Sequence, residues 1–141
     1  MIGFKKWFPS ALLVLCGGVS ASAFTAADAN TLFNAYNTAF YVTNGGNAYY
    51  KLNNGSGTGP GWWTFAEEIE MAEDAYGSSP SAYRQNLVAS LCNGFIASNG
   101  TLWTGNQYND DIAWAVIAFS RAYLITGNTT FLDIARNNFD A

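Results

Sequence analysis

Histidine is absent from all 141 residues, which removes zinc sites of the usual kind and Ser-His-Asp chemistry. Charge is scarce as well, at 11% of residues, with six Lys and Arg against ten Asp and Glu for a net charge of -4. The chain therefore lacks the clustered cations that nucleic acid requires and the basic face of a membrane-surface helix. Only two cysteines occur, and they do not make a disulfide framework. Cys16 lies in an N-terminal leader, and Cys92 stands four residues from both Val88 and Ile96, where a small core hydrophobe is expected rather than a reactive thiol. The apolar run Ala11–Leu15 is far shorter than the roughly 20 residues that span a bilayer.

That leader has the parts of a secretory signal: Lys5 and Lys6, the apolar centre, then Ala21-Ser22-Ala23 as an A-x-A cleavage site. Leu15 is too bulky for a lipoprotein site before Cys16. Residues 1–23 are thus expected to be removed, leaving 24–141 as one secreted, extracellular unit with Lys51, Arg84, Arg121 and Arg136 as its only cations. Aromatic residues make up 16% of the chain and apolar ones 50%, a composition that buries a core and excludes disorder. Asn54, Asn99 and Asn128 each open an N-glycosylation triplet, usable in a eukaryotic secretory pathway.

Periodicity predicts five helices and no strand. The first runs from a cap at Asp28 to about Tyr41, with Leu32, Tyr36 and Phe40 on one face. A long polar Gly/Asn loop from Asn44 to Gly61 follows and ends on Trp62 and Trp63. The second helix spans about Thr64–Tyr76, and its Glu67, Glu68, Glu70, Glu73 and Asp74 suggest a solvated acidic face. The third starts at Ser79-Pro80 and runs to about Ser98 with rows Tyr83, Leu87, Leu91, Phe95 and Arg84, Val88, Cys92, Ile96, closing on Asn99-Gly100. The fourth runs from Asp110 to Thr126 before Gly127, and the fifth from Thr129 to the last residue.

The fourth helix organises the chain. Asn109 is its expected N-cap, and Asp110 and Asp111 fall in its first turn, where the helix dipole favours negative charge. From Ile112 to Phe119 it is apolar all round, which predicts burial on every side, Trp114 included. Two adjacent acids thus stand at the mouth of a core helix. Spacing alone is satisfied by a stabilised helix start. Trp62, Trp63, Trp103 and Tyr108 lie in loops or at helix mouths, where rings can stack on a ligand, and Asn106, Gln107 and Asn109 can hydrogen-bond one. A calcium site from Asn106, Asp110 and Asp111 matches no known loop spacing, and no metal or other cofactor is expected.

Gly61-Trp62-Trp63, Ala66 to Asp74, Asn93-Gly94-Phe95-Ile96, Trp103, Tyr108 to Trp114, Arg121-Ala122-Tyr123 and Thr126-Gly127 together resemble glycoside hydrolase family 76 in its fungal branch, the endo-α-1,6-mannanases. The resemblance implies an all-α (α/α)6 barrel of about twelve helices, of which this chain would hold the first five. It also implies a retaining glycosidase with Asp110 as nucleophile and Asp111 as general acid/base, acting on α-1,6-mannan or a mannose-containing cell-wall glycan. Adjacent aspartates suit the roughly 5 Å carboxyl separation of retaining enzymes, provided they sit at the helix mouth, since successive residues inside a helix point apart. Two alternatives stand beside hydrolysis: transglycosylation by the same acids, and a non-catalytic helical carbohydrate-binding protein.

Overall fold

The computed structural model describes residues 24–55 and 57–139. The expected signal segment lies outside the described residues. Five helices and one two-stranded hairpin follow in the order α1 (Ala26–Phe40), β1 (Tyr41–Asn44), β2 (Asn47–Tyr50), α2 (Trp62–Ser78), α3 (Ala82–Asn99), α4 (Asn109–Thr126) and α5 (Thr129–Phe139).

The helix starts obey local chemistry that shifts several expected boundaries. α1 is capped by Thr25, not Asp28; the Thr25 side chain accepts from the Asp28 N–H while the Asp28 carboxylate accepts from the Thr25 N–H, a reciprocal capping box. Its buried face is turned one residue from expectation, onto Phe33 and Asn37, and leaves Leu32 exposed. α3 is capped by Ser81 through the Arg84 N–H, so Pro80 precedes the cap instead of opening the helix. α4 begins at Asn109 itself, with Tyr108 at the cap position and no side-chain cap bond. Gly127 ends it in the left-handed conformation, φ 71°, which costs glycine nothing.

The absence of strands does not hold. The first part of the predicted loop is an antiparallel hairpin pairing Tyr41 with Tyr50 and Asn44 with Asn47. Its two-residue turn, Gly45-Gly46, has φ 58° and 91°. Positive φ at both turn positions is what a tight hairpin needs to match strand twist.

α2 and α4 run parallel. Near their N-terminal ends the Trp62 indole N–H donates to the Asp111 carbonyl, and further down Arg121 meets Glu70, Glu73 and Asp74. α3 packs on both and runs antiparallel to α4, as the Gln85 amide donating to the Ile125 carbonyl shows, and α5 packs against α4. The centre is a lattice of edge-to-face rings: Trp62, Phe95, Trp103, Phe119 and Phe131 meet at centroid separations of 5.2–5.9 Å. Cys92 is buried there as a free thiol, as expected. Arg84 is buried too, its guanidinium donating to the carbonyls of Ala75 and Ser79 and to Asn30 Oδ1, so one side chain ties α1, α2 and α3 together.

The all-round burial expected of α4 fails on one side. Trp114, Ile117 and Leu124 are exposed, Leu124 at 78%. Ile117 and Leu124, seven residues apart, share a face turned away from the buried Ala115, Ala118 and Ala122, and Trp114 stands at its edge.

Candidate functional site

The mouth of α4 separates two open hollows. One, of about 330 Å³, is lined by Trp63, Tyr108, Asp110, Asp111 and Trp114. The other, of about 460 Å³, is lined by Trp62, Asn99, Leu102, Trp103, Gly105, Asn106, Tyr108 and Asp111. Tyr108 and Asp111 border both, and Asp110 borders the first alone. A third groove, between α1 and α2 and also of about 460 Å³, is almost wholly apolar and offers little to a polar ligand.

The two acids are held differently. Asp111 is half-buried, and its Oδ2 accepts from the Asn106 amide at 3.1 Å. Asn106 is fixed in turn, its Oδ1 accepting from the Tyr108 N–H and its own N–H donating to the Trp103 carbonyl. Trp62 adds the bond to the Asp111 carbonyl, at 3.3 Å. Asp110 is exposed at the edge of the hollow that Trp63 and Trp114 flank. One carboxylate is thus oriented by an amide and the other faces the open hollow.

The expected ring set divides. Trp63 and Tyr108 are exposed, at 55% and 57%, and Trp62 is half-buried with an edge in the second hollow. Trp103 is a correction. At 1% exposure it belongs to the core lattice; its indole N–H donates to the Gly100 carbonyl and its backbone N–H to Asn138 Oδ1 at 2.6 Å. It borders the second hollow with almost no exposed surface, so it has no ring face to offer a ligand. Trp114 is the converse: expected in the core, it is 41% exposed and walls the first hollow. The signal that could have found it is its position four residues after Asp110, on the same side of the helix. Asn109 is exposed on the first turn, without the capping bond expected of it.

Of the three triplet asparagines, Asn54 is exposed in the loop after the hairpin and Asn128 is exposed with its side chain accepting from the Thr130 N–H. Asn99 is half-buried and borders the second hollow.

The acidic face expected of α2 is only partly solvated. Glu67 and Asp74 are exposed, but Glu73 is 1% exposed and lies among Glu70, Asp74 and Arg121. Arg121 Nη1 donates to Glu70 Oε2 at 2.7 Å, Nη2 donates to Asp74, and Nε lies 3.2 Å from Glu73 Oε2 as an ion pair without hydrogen-bond alignment. Burial pushes the Glu73 carboxyl up to about 8, with Arg121 opposing and the charges of Glu70 and Asp74 adding to the shift. Burial also pushes Glu68 up to about 8, against the Tyr50 backbone N–H and the Tyr36 hydroxyl beside it. The Cys92 thiol is raised by burial and then by Glu73, so it stays protonated. Among the described residues no group of His, Cys, Asp and Glu has an arrangement that could hold a metal ion, and no helix is long and apolar enough to cross a membrane.

A scan against protein-family models finds no match, and a search of curated proteins finds no significant one.

Proposed function

We propose that this chain carries the acid pair of a secreted glycosidase of the family-76 kind, cleaving α-1,6-mannosidic linkages with retention. One observation carries the proposal: two adjacent carboxylates at a helix mouth border an open hollow between exposed indoles. Bare helix stabilisation needs no exposed tryptophan on either side, whereas a sugar ring binds by setting its apolar face on an aromatic one.

In this scheme Trp63 and Trp114 hold the sugar, and Asp110 attacks its anomeric carbon. Asp111, oriented by Asn106, gives its proton to the departing glycosidic oxygen, which leaves with the bonding pair. The covalent glycosyl ester is then opened by water, whose proton returns to Asp111 as the C–O bond to Asp110 breaks. α2 and α4 act as neighbouring inner helices of an (α/α)6 barrel, with α1, α3 and α5 outside them. The exposed row Trp114, Ile117 and Leu124 then faces the barrel interior.

The test is turnover of linear α-1,6-mannan, followed by reducing ends for hydrolysis and by longer chains for transfer. Asp110→Asn and Asp111→Asn are each expected to lower the rate by at least about 10³-fold while the helical circular dichroism stays unchanged. Trp63→Ala is expected to weaken binding of α-1,6-mannooligosaccharides by about 1–2 kcal/mol in titration calorimetry and to leave stability nearly untouched. Wild-type rates in both aspartate variants would sink the proposal.

A further inference from the structure

We propose that Arg121 is a positioning residue for this cleft: by forking across three carboxylates of α2 it sets the spacing and rotation of α2 against α4, and so the gap between Trp63 and the acid pair. The proposal rests on the glycosidase reading for its catalytic consequence, and on the ion cluster alone for its structural one.

Glu70, Glu73 and Asp74 stand at i, i+3 and i+4 on α2 and share one side of that helix. Arg121 answers each with a different nitrogen: Nη1 to Glu70, Nε to Glu73 and Nη2 to Asp74. A planar guanidinium hydrogen-bonded to Glu70 and Asp74 and in charge contact with Glu73 fixes both translation and rotation, which a lysine ammonium does not. Small residues are frequent on the buried faces of both helices. Ala66 and Ala72 of α2 and Ala115, Ala118 and Ala122 of α4 are all buried, and methyl groups slide past one another more readily than interlocked large side chains. The second tie between the helices is the Trp62 bond to the Asp111 carbonyl, at the cleft itself. Arg121 lies eleven residues from Asp110, roughly 16 Å at 1.5 Å per residue, so it ties the pair well away from the cleft.

The cluster is also short of cations. Three carboxylates share one guanidinium, and Oε1 of both Glu70 and Glu73 are buried without a hydrogen-bond partner. The charged or titratable groups facing Glu73 are Arg121 from α4, Cys92 from α3, and Glu70 and Asp74 from its own helix. Near neutrality Glu73 keeps its proton, and Arg121 serves Glu70 and Asp74.

Spin labels at Glu67→Cys and Ala113→Cys, both exposed sites on the two helices, report the spacing by electron–electron distance measurement; the fully buried Cys92 is out of the labelling reagent's reach. Arg121→Lys is expected to broaden the distance distribution at least about twofold, and to raise KM for α-1,6-mannan about tenfold with a smaller change in kcat. A lysine variant with the wild-type distribution overturns the proposal. If Arg121→Lys loses its helical signal, Glu70→Gln decides instead: a broadened distribution supports the proposal and an unchanged one overturns it. Absence of mannan turnover in the wild type would count against the glycosidase reading alone, because the distance measurement needs no substrate.

Discussion

Glu73 holds a proton that a free glutamate would release. Its carboxyl is raised from an ordinary 4.5 to about 8, so between those values the folded chain binds a proton that the unfolded chain does not. The stability this contributes is complete below about pH 4.5 and is lost as pH rises through about 8. Glu68 acts in the same direction. Urea midpoints measured from pH 5 to 9 are therefore expected to fall with pH, and Glu73→Gln to flatten that fall by its share; an unchanged slope would refute the link between this buried proton and stability. At this scale the placement of Asp110 and Asp111 at an open helix start was legible in the sequence, since adjacent carboxylates cannot both be buried uncompensated. The tryptophans were legible only as a set. Trp103 looked free in its loop, yet it is caught by Asn138, 35 residues on, and Trp114 looked enclosed in its apolar helix, yet it stands on the open side.

Among the elements, the contact with the least tolerance is that of the hairpin on α3. A methyl group added at Gly94 would stand 1.8 Å from the Ala48 carbonyl oxygen, far inside van der Waals contact, and backbone is what it meets. Gly94→Ala is expected to destabilise by at least about 2 kcal/mol in chemical denaturation, well beyond the usual cost or gain of alanine in a helix. Nothing in the helical pattern around Gly94 announces this, because the need arises from a strand far earlier in the chain. The helices were readable from their periods to within a few residues. The hairpin was missed although Gly45-Gly46 stands between Tyr-Val-Thr-Asn and Asn-Ala-Tyr-Tyr, a pattern with a strand signal on both sides. The abundance of glycine and asparagine masked it.

Across the whole molecule, the parallel pair α2 and α4 leaves one flank of apolar side chains toward water, Ile117 and Leu124 among them. Contiguous apolar surface draws dyes and other chains. Ile117→Lys with Leu124→Lys is expected to lower the emission of bound anilinonaphthalene sulfonate and any concentration-dependent association, while unfolding free energy changes by no more than about 0.5 kcal/mol per site. An undiminished dye signal would place the sticky surface elsewhere. Such a flank follows from how many neighbours a helix has, which no window of sequence reports. Asn138 carries a last consequence. Its amide grips the carbonyl of Thr101 and the N–H of Trp103, so the strip of chain that bears Asn106 is tied to the fifth helix as well as to the core. During synthesis, both aspartates emerge well before the amide that completes the bonding of their surroundings.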